Sequence, residues 1–156
     1  MNGYVGVLFL HSWLRWLILV LLLLSLGVSL RGLSTRAPWT PGKQRLHRAL
    51  IAAVDMQLFL GLALWLLFSP LATAFRADLG AGLHDHVIRF FGLEHPTMMI
   101  VAVASLHIGW DLTRKAQESR QKHRRAALSV LLALLCVGSS IPWPGLRHER
   151  PLIRTL

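Results

Sequence analysis

Residues 4–30 read YVGVLFLHSWLRWLILVLLLLSLGVSL, and the only formally charged side chain among them is Arg15. A helix needs about 20 mainly apolar residues to cross the hydrocarbon core of a bilayer, so this run is long enough to span one. Lipid offers no partner to an open strand edge, and the run is too long and too uniformly apolar for a barrel strand. A helix is the remaining solution. No basic residue precedes the run and no small-residue cleavage pattern follows it, which makes it a retained span rather than a removable signal peptide.

Outward from this stretch the same reading gives spans at about 49–75, with Asp55 as its only formal charge, at about 87–110, and at about 126–145, which is uncharged. With 54% hydrophobic residues and a mean hydropathy of +0.51, most of the chain belongs in lipid. The expected fold is all-α: a single-domain integral membrane four-helix bundle with short connections and antiparallel neighbours. Cys136, the sole cysteine, excludes an intrachain disulfide and a cysteine metal site.

The net charge of +10 would suggest nucleic acid in a soluble protein. Here the basic residues cluster between apolar runs. The first connection carries Arg31, Arg36, Lys43, Arg45 and Arg48, and the third carries Arg114, Lys115, Arg120, Lys122, Arg124 and Arg125. The second offers only Arg76 and Arg89, against Asp78 and Asp85. By the positive-inside rule the first and third connections are cytoplasmic, which puts both termini outside. Trp39 and the Pro142-Trp143-Pro144 stop read as interface anchors. The partner these charges imply is the bilayer, with no nucleic acid.

Polar residues within the spans fall on helical stripes. His11, Arg15, Ile18, Leu22, Ser25 and Ser29 share one face of the first span. His95, Met98, Ala102, Ser105 and Gly109 form a seam in the third, and Ser129, Leu132, Cys136, Ser139 and Trp143 one in the fourth. Most of these are ordinary packing residues in lipid. Ionisable side chains are costlier, at about 2.5–3.5 kcal/mol each near the bilayer centre, so they mark candidate sites. His11 and His95 lie at a matched depth, roughly 10 Å below the outer surface, with Arg15 and Glu94 near that level. Asp55 and His107 lie nearer the cytoplasmic side, where they can meet as a smaller cluster.

Two neutral imidazoles from different helices at one depth suit a b-type haem, with Arg15 placed to neutralise a propionate or a quinone oxygen. The plainer alternative is a buried Arg15–Glu94 ion pair that fixes helix register with no cofactor. His95 and His107 are about 120° out of line on an ideal helix, so a second haem would need a kink, for which Pro96 is the available source unless it sits in the helix's first turn. His84 and His86, with Asp85, are two histidines without a fixed third ligand. His47, His123 and His148 lie among arginines and read as headgroup or solvent contacts. No serine has a base and an orienting acid at a useful spacing, and no glycine-rich phosphate loop is present.

The strings His11-Ser-Trp-Leu-Arg15-Trp, Gln57-Leu-Phe-Leu-Gly61-Leu, Phe90-Phe-Gly-Leu-Glu94-His95 and Ser140-Ile-Pro-Trp-Pro144 resemble, in order and over nearly the whole chain, a group of small bacterial four-span membrane proteins often labelled cytochrome b-like. The resemblance implies a multi-pass protein of the bacterial inner membrane. In such relatives a histidine often stands two residues before the span-two glutamine, where this chain has Asp55. That leaves His11 and His95 as the carried-over ligand pair. The expected function is therefore electron transfer through haem b with a quinol or a larger respiratory partner. The alternatives are a non-catalytic accessory subunit, packed against itself or larger membrane subunits, and a proton or metal-ion conduit through the Asp55–His107 layer and the outer histidines.

Overall fold

The computed structural model describes residues 3–153, and no strand occurs among them. Helix α1 is Gly3–Ser34 and α2 is Pro41–Ala63, which runs on through a wider π turn at Leu64–Phe68. Three short helices follow: α3 (Pro70–Ala77), α4 (Leu79–His84) and α5 (His86–Arg89). A second π turn, Phe90–Glu94, joins α5 to α6 (His95–Lys115), and α7 is Ser119–Ser139. Three continuous helical stretches are long and apolar enough to cross a membrane: Gly3–Ser34, Pro41–Phe68 and His86–Lys115.

Local chemistry sets the breaks. Helix α1 ends where Arg36 adopts a left-handed conformation (φ 52°) and the Ala37 amide reaches back to the Gly32 carbonyl at 3.1 Å, a Schellman closure. Pro41 then opens α2 in the first-turn position that tolerates a missing N–H. The second span does not continue to residue 75 as expected. Its helix stops at Phe68, because Ser69 takes an extended conformation and its hydroxyl accepts from the Ala72 amide at 3.3 Å, with Pro70 beginning α3. Asp78 caps α4 through the Ala81 amide (2.9 Å), and Asp85 caps α5 through the amides of Val87 (2.8 Å) and Ile88 (2.9 Å). The connection expected to be a loop is thus a chain of capped helical turns.

Pro96 occupies the first turn of α6, directly after the π turn in which the His95 amide bonds the Phe90 carbonyl. The fourth expected span also ends early. Helix α7 stops at Ser139, and its uncharged part, from Ala126 onward, is about 21 Å long at 1.5 Å per residue. That is shorter than a hydrocarbon core of about 30 Å. Lys122, Arg124 and Arg125 fill its first turns instead.

Helix α1 packs on α2 and α7, and α6 packs on α7 and α2. Ile18, Leu22, Leu50, Val54, Ala102, Leu106, Val130 and Ala133 meet at the centre. In a bilayer, lipid is as apolar as these side chains, and close packing rather than water exclusion would hold them together. The tightest approach is between α6 and α7: a Cβ at Gly109 would lie 2.1 Å from Ser129 Cβ, and the Ser105 hydroxyl reaches the Ser129 carbonyl at 3.3 Å. The two basic connections come together at one end, where the Trp39 amide donates to Ser119 Oγ at 3.0 Å.

Candidate functional site

The stripe on α1 faces inward, with Ile18, Leu22, Ser25 and Ser29 all buried. Toward the end opposite the basic connections it brings His11 against His95, with ring centroids 6.2 Å apart and planes at 67°. Early termination of α7 bears directly on this pair. Beyond the helix end the Ser140 carbonyl is available as an acceptor, and it lies 2.9 Å from His95 Nδ1. A carbonyl can only accept, so Nδ1 carries the proton and the lone pair of a neutral His95 is on Nε2. His11 is held differently. Gln57 on α2 donates to the His11 carbonyl at 2.9 Å, and the absent side chain of Gly61 leaves space for the imidazole, since a Cβ there would lie 3.2 Å from Cε1. His11 Nδ1 is buried and has no hydrogen-bond partner.

A cavity of about 170 Å³ opens beside the two rings, with Arg15, Gln57, Trp65 and Phe91 in its wall. Trp65 is fixed by its Nε1–H bond to the Gly92 carbonyl at 2.8 Å. The C-terminal tail closes another side: the Leu152 carbonyl accepts from Arg15 Nη2 (2.7 Å) and from Trp16 Nε1 (3.2 Å). This volume is below the roughly 300–1,000 Å³ usual for small-molecule pockets. Admitting a macrocycle would require wall side chains to swing outward. Within the wall, His11 and His95 are the side chains with nitrogen lone pairs able to ligate a metal, and Arg15 and Arg150 are its cations.

The Arg15–Glu94 ion pair considered from sequence is not formed, because Glu94 turns to Arg89 instead, at 2.6 Å on the exposed side. Asp55 and His107 do meet, with Asp55 Oδ1 2.8 Å from His107 Nε2. They meet on the outward face of α2 and α6, however, with side chains 47% and 49% exposed, so they form no interior layer. Position along a helix gives depth, whereas facing depends on how two helices rotate against each other. Asp85 is committed to capping, His84 Nδ1 bonds the Gly80 carbonyl at 2.8 Å, and His86 faces Arg89. Among the described residues no group of three metal-binding side chains is assembled.

The largest departure from expectation lies at the other end. His47 and His123, read as surface contacts, are buried at 4% and 0% exposure. Both rings pack on Trp39, with centroids at 5.3 and 5.0 Å, and His123 presses so closely on α1 that a Cβ at Gly32 would lie 2.2 Å from its ring. His123 Nε2 lies 3.2 Å from the Ala37 carbonyl and 3.3 Å from Lys43 Nζ. Burial, then the Lys43 charge, holds its pKa below the ordinary histidine value. A signal for both was present in the sequence. His47 extends the buried stripe of Leu50 and Val54, and His123 that of Ala127, Val130 and Val137. His148 in the tail stacks on Phe90, with centroids 3.6 Å apart.

No protein-family model, no curated protein and no solved structure matches this chain.

Proposed function

We propose that the chain is a four-helix integral membrane protein with both termini outside, and that it carries electrons through one b-type haem held between His11 and His95. The observation behind the haem reading is the 6.2 Å between the two ring centroids. Two imidazoles from different helices, brought this close, are the groups that would hold its iron. Bound there, the haem would supply reversible one-electron transfer. The chain's own part is to orient both imidazoles, His95 through the Ser140 carbonyl and His11 through the space at Gly61, and to present Arg15 to a propionate or to a quinone oxygen. The electron-exchange partner in this reading is a quinol or a larger respiratory subunit, and a bacterial inner membrane is the location that the resemblance noted above implies.

The topology is supported by the meeting of both basic connections at one end, which the positive-inside rule makes cytoplasmic. Helix α7 would cross with help from Ser140–Pro144. With Cys136→Ala as background, Thr40→Cys and Ala81→Cys should be labelled by impermeant reagents from opposite sides. Labelling from the same side rejects the four-span arrangement.

A second reading, a non-catalytic accessory subunit, is favoured by the small volume of the cavity, about 170 Å³. Absorption spectra separate the two. Protein purified after expression with abundant haem should show a Soret band that His11→Ala and His95→Ala abolish. A parent protein without the band, or variants that retain it, leaves the accessory reading in its place.

A further inference from the structure

The end of the bundle where the basic connections meet holds a second cavity, of about 200 Å³, that neither reading above uses. Its wall is drawn from four segments: Trp39 from the first connection, Gln44 from the start of α2, Trp110, Thr113 and Arg114 from the last turns of α6, and Lys122 from the first turns of α7. The bond from the Trp39 amide to Ser119 Oγ ties the first of these segments to the last. Neither His47 nor His123 is in this wall, although both rings pack on Trp39.

Every polar side chain of the wall can donate a hydrogen bond, and none is a carboxylate. An ammonium, a guanidinium and an indole N–H donate and do not accept, while Gln44 and Thr113 can do either. Arg114 gives Nη2 to Asp111 at 2.7 Å, and Lys115 holds the same carboxylate. Lys122 is half-buried and forms no ion pair among the described residues, not even with Glu118 one turn before it. Thr113 is 1% exposed, and its hydroxyl is buried with no hydrogen-bond partner. Buried hydroxyls ordinarily have one, and a helical threonine can turn between two rotamers to reach it. A cavity with an uncommitted cation, several donors and no carboxylate in its wall complements an acceptor-rich anion. Its volume is below the roughly 300–1,000 Å³ usual for small-molecule pockets, which suits a single phosphate group better than a nucleotide. Tryptophans at the ends of long apolar helices mark the level of lipid headgroups, where phosphate oxygens are at hand.

We propose that this cavity binds a phosphate group, borne by an anionic lipid headgroup or by a soluble phosphate, with Lys122 and Arg114 as the cations that hold it and Thr113 as a neutral donor. The inference is independent of haem. Two probes test it on the full chain in neutral detergent: inorganic phosphate, followed by equilibrium dialysis, and phosphatidylglycerol in mixed micelles, compared with phosphatidylcholine by native mass spectrometry. At least one anionic probe should bind saturably with one-to-one stoichiometry. Lys122→Gln should weaken that binding by about tenfold, and Thr113→Val by about threefold. Lys122→Arg should retain it. Arg45→Gln removes the same charge from an exposed residue outside the wall and should leave binding unchanged. Circular dichroism checks that helix content is kept, and Arg114→Gln carries the same test from α6. Binding of phosphatidylglycerol alone assigns the site to a headgroup, binding of inorganic phosphate alone assigns it to a soluble phosphate, and binding of both supports the shared chemistry. No saturable binding of either anionic probe, or equal losses in Lys122→Gln and Arg45→Gln, overturns the proposal.

Discussion

Two pairs of histidines stand at opposite ends of the bundle, one partly buried and the other fully so. His11 and His95 face a cavity of about 170 Å³, with Gly61 leaving space beside one ring. His47 and His123 enclose the indole of Trp39, and Gly32 serves there to admit the His123 ring rather than to leave space open. Each pair draws its imidazoles from two helices. Residue type and helix pairing therefore do not distinguish a candidate ligand pair from a packed one. Unfilled volume beside the rings does, because a ligand needs space that side chains have not taken.

If space is what sets the outer pair apart, filling it should act as strongly as removing a ligand. Gly61→Leu is expected to abolish the Soret band as completely as His95→Ala, because the added side chain occupies the position of the His11 ring. Gly27→Leu, on an exposed part of α1 with nothing within 4 Å, should leave the band intact. A Gly61→Leu protein with the parent spectrum would break the comparison.

The inner pair should respond in stability rather than in spectrum. Gly32→Ala drives a Cβ into the His123 ring and is expected to cost about 1–3 kcal/mol, as overpacking does in close-packed interiors. Gly27→Ala should be neutral or gain up to about 1 kcal/mol from helix propensity. Thermal unfolding of the two variants in detergent measures the difference, and equal midpoints would mean that the His123 contact is soft.

The smallest expected effect is pH dependence at the inner pair. Burial holds His123 below its unfolded value of 6.5, so as pH falls the unfolded chain takes up this proton before the folded one does. Its contribution to stability is present in full above about pH 6.5 and is lost as pH falls below that, by at most about 1.4 kcal/mol per pH unit. Unfolding midpoints from about pH 8 to about pH 5 should fall less steeply in a His123→Gln variant. A slope unchanged by the substitution would assign the acid sensitivity to other groups.

The spans themselves show how much could be read in advance. Helical class, the inward stripe of α1 and the depth match of His11 with His95 follow from apolar length and the 3.6-residue period, both local properties of the chain. Less visible were the ends. Ser69, Asp78 and Asp85 are common capping residues, yet among apolar neighbours they read as part of a span or as loop charges, and only their bonds to Ala72, Ala81 and Val87 reveal the helix starts. His47 and His123 were misread because adjacent arginines suggested a surface, although the apolar stripe continues through both positions.

By itself, then, the sequence determined long apolar helices, the inward face of α1, and the distances of His11, His95, Asp55 and His107 from the basic ends, whereas Leu132 and Ser139, read on an inward seam, are exposed. Tertiary structure decided which of these groups meet and what lies beside them. It set His95 against the Ser140 carbonyl, put Trp39 between the inner histidines, and turned Asp55 and His107 outward together. The reason is geometric. The period of one helix fixes relative angles within that helix, whereas the rotation of one helix about its axis against another depends on packing along the whole length of both.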